Sequence, residues 1–565
     1  MGANNKDGEF EIKPLPIVGN YDVQRFFQFS PEDTANWYVV TGKNTKRPNA
    51  MYPTMGRAHI SLLGFNQLIF DSEPRAIFKS IKYSYVWVGN AVFRVDSQFN
   101  SVNISGDKVV TFAGPIYFAF LVVNTIVFSC FVDGEKIYIY KEDTNDFEVV
   151  TDPNAPGNSI QNGKLTKPGF IAAFGNRITV SVKDSSQFFL SVINLLNPDG
   201  TFDPAHCFSI GYDPTIPDPG SPVFAQENGL IGQMGVLNNQ LYIFTNYTTG
   251  IWANIAAVFT GTGVTFPWKK NASYDWNFGI ANPSSLDIDF GMIAFLAQNS
   301  DGLLQFMVST GGQPERISTK AIDTLLQNYT NTFGKDNPFL SINSNGFLFL
   351  YENTIFYRMS GGPYNDDGLL DQQSNANSIE YNFEIKDWHR CIELNGERNR
   401  IQYHVFFSFK HLVSIVGEGT IYDMSGQYYF NERRNPDQES PQAPDSFVKD
   451  PIRYERVTPI IGEDDYSEFE TEYVEIDFVF GLIDVNVLDT DNPSIELYFS
   501  DDGGVSFSPA DIRQFSRSGI YIWKMRWYQL GQSRNRVYKL VSVSLYPIVV
   551  LGAVMNVRRS SGGSN

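Results

Sequence analysis

The sequence predicts an all-β protein: a β-propeller of six to seven blades with an N-terminal arm before it and a β-rich C-terminal unit after it. Three observations predict this class. Aromatic residues make up 15% of the 565, with 46 Phe and 29 Tyr, and 46 Gly and 29 Pro punctuate them. Rings suit the pleated surface of sheets, and Gly and Pro supply the turns between strands. A hairpin pattern, with a tight Gly or Asn turn between two apolar strands, recurs along the chain. Helical periodicity is almost absent.

In chain order, residues 1–60 read as an arm and first strands, 61–440 as the propeller with loop insertions, 441–558 as the C-terminal unit and 559–565 as a flexible tail. The hairpins lie at 86–96, 131–143, 172–184, 235–246, 289–302, 343–359 and 411–424, with turns expected near 89, 134, 175, 238, 291, 345 and 418. Roughly 40–70 residues separate successive turns, the length of a four-stranded blade. No motif repeats cleanly, so a pair of β-sandwiches remains the alternative architecture. The apolar run Ile116–Cys130 breaks at Asn124 and Thr125. It is too short to cross a bilayer and reads as two paired buried strands, so no membrane span is expected. One helix is expected over Ser318–Asn328, capped by Ser318 or Thr319, with Ala321, Ile322, Leu325 and Leu326 as its apolar stripe. Residues 360–380 and 430–451, rich in Pro, Gly, Asn and Asp, read as exposed loops. Beyond them Val474, Ile476, Phe478 and Phe480 alternate with Glu475 and Asp477, as in a half-buried strand.

Near the C-terminus, Ser500, Asp502, Gly504 and Phe507 fit an Asp-box turn, S-x-D-x-G-x-x-[W/F]. Its carboxylate and glycines fold a hairpin, and the aromatic pins it to the sheet. After Asp511 there is no acidic residue but nine Lys or Arg, so the chain's net charge of −19 leaves −28 on everything before residue 512. Arg513, Arg517, Lys524, Arg526, Arg534, Arg536 and Lys539 are therefore candidates for a contact with a neighbouring subunit or an adaptor. The other reading is that they balance acidic neighbours inside the fold. A basic face and an acidic body are self-complementary in a head-to-tail ring. The acidic body argues against ordinary DNA binding, which depends on Lys and Arg neutralising phosphates.

Catalytic signatures are missing from the sequence. There is no P-loop, no H-E-x-x-H, no dinucleotide fingerprint and no cysteine pair at metal spacing, so no catalytic residue, cofactor or metal is expected. Cys130, Cys207 and Cys391 lie far apart and point to synthesis in a reducing compartment. His206 and Cys207 would point to opposite faces of a strand. The acids Glu463, Asp464 and Asp465, the pair Asp287 and Asp289, and the group Asp484, Asp489 and Asp491 read as loop charge. Paired acids and an Asp box keep a carbohydrate-active or carbohydrate-binding propeller as the second functional reading.

Ordered blocks along the chain carry a family resemblance. Pro16 and Gly19 precede Asn36–Tyr38 and Ala50–Gly56, and then comes Ser84–Asp96. Thr249–Trp252, Thr265–Pro267, Gly279–Pro283 and Glu315–Thr319, with Ala321 and Ile322, follow in the middle. Arg453–Ile460, Ser500–Gly504, Arg526, Trp527, Leu530, Gly531 and Arg534–Tyr538 close the series. Each block is a short turn motif; their common order resembles the packaged-DNA stabilisation proteins, or tail accessory (nozzle) proteins, of short-tailed bacteriophages. The chain departs from that pattern in fuller loops around 100–165 and 190–225. The resemblance implies a structural protein of the virion tail, assembled in the host cytoplasm. It implies a ring, of six copies, below the portal and adaptor proteins, extending the DNA channel and retaining packaged DNA. Distal partners would be a tail needle, plug or fibres, and double-stranded DNA would pass without sequence-specific binding.

Overall fold

The computed structural model describes residues 9–559 except 25–29, 43–47, 61–67, 162, 197–200, 209–223, 255–258, 261–262, 265–267, 272–273, 335–336, 342–343, 362–376, 436–445, 464–466, 481–492 and 516–521. Among the described residues the fold is built almost wholly of antiparallel strands, and the one α-helix is Lys320–Phe333. Thr319 caps it, accepting from the Ile322 amide at 3.4 Å, and Ala321, Ile322 and Leu326 are buried. The helix is too short to cross a membrane, and no described helix is long and apolar enough to do so.

Among the described residues, seven antiparallel meanders follow one another. The first runs Pro74–Lys79, Ser84–Val88, Ala91–Val95 and Ser101–Asn103; the second Tyr117–Val123, Ile126–Val132, Ile137–Lys141 and Asp146–Val149. The third begins at Pro168–Phe174 and the fourth at Ile231–Leu237. The fifth opens with Gly279–Ile280 and Asp287–Asp289, the sixth with Asn345–Tyr351, and the seventh with Ile401–Phe407. Hydrophobic packing joins each sheet to the next. Trp87 and Phe131 sit between the first and second, Cys130 and Val180 between the second and third, and Phe188 and Leu241 between the third and fourth. The series continues through Phe244 with Phe295, Phe306 with Trp388, and Phe349 with Val413. It closes where Leu412 of the seventh sheet meets Val86 of the first. A closed ring of sheets around an axis is a β-propeller, and closure leaves its sheets no free faces.

The ring is fastened by the N-terminal region. Gly56–His59, at the end of the stretch read as an arm, is the outer strand of the seventh sheet, paired antiparallel with Ile421–Ser425. A Cβ on Gly56 would lie 2.4 Å from the carbonyl oxygens of Tyr428 and Phe430, so only glycine fits there.

Strands from both ends of the chain build the second unit, a sandwich. Glu11–Leu15, Trp37–Thr41 and Asn49–Pro53 share a sheet with Phe469–Phe480, Ile522–Ser533 and Ile548–Arg559. The opposing strands include Pro31–Ala35, Phe447–Val457, Ser494–Ser500 and Val537–Ser544. Between them Trp37 stacks on Tyr454 at 5.1 Å, and its indole N–H donates to the Ile548 carbonyl at 2.8 Å. Val474, Ile476, Phe478 and Phe480 all face this core, as their alternation predicts. Through Pro31–Ala35, Phe447–Val457 and Phe430–Arg434 the sandwich joins the outer strands of the sixth and seventh sheets in one 15-stranded hydrogen-bonded sheet.

Several local expectations change. The turn expected near 345 lies instead at Glu352 and Asn353, both with positive φ, and Asn345 begins a strand. Phe430–Arg434 and Phe447–Val457 are strands where the polar composition reads as loop. Polar residues there find partners on neighbouring strands: Glu432 accepts from the His59 amide at 2.6 Å, and Arg433 pairs with Asp450 at 2.6 Å. The Ile116–Cys130 run folds as paired strands, Tyr117–Val123 and Ile126–Val132 meeting at Asn124 and Thr125, but only the second is buried as expected; Phe120 and Val122 of the first are exposed.

Candidate functional site

The Asp box is a hairpin turn between Ser494–Ser500 and Asp511–Gln514. Ser500 Oγ accepts from the Gly504 amide at 2.8 Å, and Asp502 Oδ1 accepts from the Val505 and Ser506 amides at 3.0 and 2.9 Å. Gly503 and Gly504 take positive φ, the conformation these bonds require. Hydrogen bonds from Ser500 and Ser506 hold the Asp502 carboxyl well below the usual range. This carboxylate is fully engaged in shaping the turn. Phe507 lies half-buried, with Lys539 Nζ 5.9 Å from its ring centre.

The basic candidates divide by burial. Arg536 is only 1% exposed. It bridges to both oxygens of Asp501 at 2.7 and 3.0 Å, donates to the Leu530 carbonyl at 2.6 Å and lies over the Phe499 ring. It holds the fold and offers no surface to a neighbour, so it leaves the set of interface candidates. Lys524 and Arg526 project from the outer face of Ile522–Ser533 and pair with Glu475, Lys524 at 3.1 Å, while Lys524 also reaches Asp477 at 3.5 Å. Arg513 pairs with Asp511 at 2.8 Å, and Arg534, 67% exposed, with Glu468 at 3.2 Å. Lys539 lies 3.8 Å from Glu455. Arg517 lies outside the described residues, as do Asp464, Asp465, Asp484, Asp489 and Asp491. The acid-free stretch is thus matched by carboxylates of adjacent strands, and Arg513, Lys524, Arg526 and Arg534 are the members that reach solvent.

Sequence reasoning missed the buried cations that clamp distant segments within the propeller (Arg57), within the sandwich (Arg456) and between the two (Arg390). Arg57, from the closing strand, grips Glu393 with two hydrogen bonds of 2.8 and 3.1 Å. Arg456 donates to the Ile17 and Asn20 carbonyls at 2.7 and 3.0 Å and pairs with Glu32. Arg390 reaches Asp33 at 2.8 Å. Their partners lie more than 300 positions away in sequence, so no local pattern marks them.

The propeller axis encloses a cavity of about 620 Å³ lined by the first strands of the seven sheets. Lys79 of the first sheet reaches across it toward Asp289 of the fifth at 3.8 Å. Asp287 accepts from the Leu348 and Ile288 amides at 2.6 and 2.9 Å, tying the fifth sheet to the sixth. Burial pushes its carboxyl up to about 6. His404 and His411 contact each other at 2.9 Å, and burial pushes both imidazoles toward the neutral form. A cavity of this size, crossed by side chains, cannot admit a duplex whose major groove alone is about 12 Å wide.

Glu380, His389 and Cys391 bring donor atoms within 4.8 Å of one another inside the sixth sheet. Arg358 already donates to Glu380 at 2.7 Å, and His389 lies 3.1 Å away. Burial raises the Glu380 carboxyl, but Arg358 and His389 outweigh it and hold it down to about 2. The guanidinium occupies the place a metal cation would take, so the group is a buried ion-pair ladder. Cys130, Cys207 and Cys391 are buried, and desolvation raises their thiols. His206 pairs with Asp203 at 2.7 Å, while Cys207 packs in the core.

Comparison with known proteins gives a family match. The family model described as "Bacteriophage P22 Gp10, beta-propeller" matches residues 213–350, which hold the fourth and fifth sheets, the helix and the start of the sixth. No curated protein matches the chain. Solved structures that resemble it include an exo-beta-1,3-galactanase from Phanerochaete chrysosporium, at 9% identity and TM-score 0.26, covering 77% of this chain and 95% of that one. The extracellular domain of the putative one component system BT4673 from B. thetaiotaomicron aligns at 12% identity and TM-score 0.38, over 87% of this chain and 57% of that longer one. The Cps50 (Swd1) beta-propeller domain of Myceliophteria thermophila aligns at 8% identity and TM-score 0.34, over 65% of this chain and 99% of that one. Over residues 213–350, about a quarter of its length, the chain is similar to the family described as the phage P22 Gp10 β-propeller, and this similarity agrees with the tail accessory family its ordered blocks resemble and supports a phage structural protein.

Proposed function

We propose that the protein is a ring-forming component, or nozzle, of a short phage tail, placed below the portal and adaptor. There it extends the DNA channel, retains packaged DNA and docks distal tail parts. The observation that carries this reading is the family match over residues 213–350. Two features of the molecule support it. The propeller and sandwich are joined by a continuous sheet and by the Arg390–Asp33 pair, which gives the stiffness a pressurised conduit needs. The propeller's own cavity is too small for DNA, so the duplex passes between copies, along a surface whose net charge of −19 per chain resists adhesion. Arg513, Lys524, Arg526 and Arg534 then serve the contact with a neighbouring copy or the adaptor, exchanging their present carboxylate partners for those across the interface.

The test is assembly. Purified protein, alone and mixed with the phage's portal–adaptor complex, is sized by light scattering and imaged by electron microscopy. Six-fold rings seated on the connector are expected. A chain that stays monomeric in both conditions sinks the reading. In this reading the chain has no catalytic role, because Asp287 is bound to two backbone amides and Asp289 faces Lys79. Release of reducing sugar from host polysaccharide, lost in an Asp287→Asn variant, would instead establish the carbohydrate-active alternative.

A further inference from the structure

The first strand, Glu11–Leu15, is fastened far less firmly than the rest of the sandwich. It adds antiparallel to Ile548–Arg559, with Glu11 opposite Val557 and Leu15 opposite Ala553. Leu15 is its one buried residue, and Ile12 is 62% exposed. Two side-chain contacts assist: Lys13 reaches Glu463 at 2.6 Å, and the Arg558 guanidinium lies 4.6 Å over the Phe10 ring. Immediately afterwards the chain is locked. Ile17 is fully buried, and Arg456 holds the Pro16, Ile17 and Asn20 carbonyls.

The junction between loose strand and locked chain is Pro14–Leu15–Pro16. These residues line a cleft of about 370 Å³, bounded opposite by Pro48, Asn49 and Leu551–Val554. The cleft leaves room around the junction. Its two prolines fix φ and disfavour helical conformations in the residues before them, so a released strand stays extended and ready to pair.

We propose that residues 9–14 are exchanged between neighbouring copies, each first strand adding to the Ile548–Arg559 edge of the next chain. This rests on the ring reading above. The occupant is identified by the structure itself, because the edge already receives this strand in a defined register. An exchanged strand reproduces the same backbone pairing and the same Lys13–Glu463 and Phe10–Arg558 contacts, so exchange costs little beyond reorienting the junction. Ring closure then supplies each strand at a high effective concentration beside its acceptor. Head-to-tail strand donation of this kind links every copy to the next through main-chain hydrogen bonds.

Crosslinking tests the proposal. Ile12 and Asn556 are opposed in the strand pair, and the native Cys130, Cys207 and Cys391 are buried and do not compete. Chains carrying only Ile12→Cys and chains carrying only Asn556→Cys, distinguished by tags of different mass, are co-expressed, separated by size and treated with a short bismaleimide. Covalent dimers containing both tags are expected in most of the ring fraction and absent from monomer. The Ile12→Cys, Asn556→Cys double variant in the monomer fraction links internally. Rings without mixed dimers, together with an internal link in the double variant, overturn the exchange while leaving the ring intact. If no ring fraction forms at all, the ring reading and the exchange both fall. Deletion of residues 1–13 gives a second readout: the chain keeps its circular dichroism and melting profile but loses at least about ten-fold in ring yield, and unchanged yield counts against exchange.

Discussion

At the scale of single residues, the decisive property is whether a charge has water or only a partner. Arg536 has only partners, so Arg536→Glu buries a carboxylate beside the like charge of Asp501 and leaves the Leu530 carbonyl without its donor. An uncompensated charge buried at this position costs about 3–5 kcal/mol, and a loss of that size is expected in urea denaturation. Arg534→Glu removes an exposed pair with Glu468 and changes stability by less than about 1 kcal/mol. Equal losses in the two variants would contradict the burial assignment. Phe409 stands at the tip of the Ile401–Phe407 to Lys410–Ile415 hairpin with φ +63 and 94% exposure. A bulky residue in the left-handed region carries strain, so Phe409→Asn should stabilise by about 1 kcal/mol, read as a higher melting temperature. Asp287 bears on pH. Its folded carboxyl titrates at about 6, against about 4 in an unfolded chain. Between those values the folded state binds the proton more tightly, so this group's contribution falls as pH rises from 4 to 6 and stays low above that. Relative to wild type, Asp287→Asn should therefore gain about 1–3 kcal/mol more at pH near 7.5 than at pH near 4.5. Parallel urea midpoints at the two pH values would refute this.

At the scale of elements, closure depends on strands distant in sequence. Gly56–His59 completes the seventh sheet and leads on from two strands of the sandwich. Gly56→Ala forces a Cβ against two carbonyl oxygens, and overpacking of this kind costs about 1–3 kcal/mol, measurable by thermal denaturation. Deletion through residue 59 removes strands from both units and should abolish cooperative unfolding altogether. A truncated chain that still melts in one sharp transition would show that the closing strand is dispensable.

At the scale of the whole molecule, charge and topology act together. With a net charge of −19 and Arg513, Lys524 and Arg534 paired to carboxylates, the monomer should not retard duplex DNA at about 150 mM salt. Micromolar binding in a gel-shift assay would reverse the view of the surface as non-adhesive. The shared 15-stranded sheet also makes propeller and sandwich one mechanical body. Force applied at the sandwich is transmitted through main-chain hydrogen bonds to the sixth and seventh sheets rather than absorbed at a linker.

The local code of the chain was enough for the class of fold. Aromatic strands and tight turns specify hairpins because a side-chain period of two and a left-handed turn residue are properties of neighbours in sequence. The helix cap at Thr319, the Asn124 turn, the Asp box and the alternation from Val474 to Phe480 were legible for that reason. Three things were settled only by tertiary structure. The strands of residues 9–60, in the stretch read as an arm and first strands, belong to two distant sheets, a placement that pairing across more than 300 residues leaves without local trace. The turn at Glu352 displaced the one expected near 345, because the whole sheet sets the register. The basic C-terminal stretch divided into buried Arg536 and solvent-facing Lys524, Arg526 and Arg534, since burial depends on which carboxylates the neighbouring strands bring near. Composition decides that such a chain makes sheets; long-range pairing decides which charges those sheets enclose.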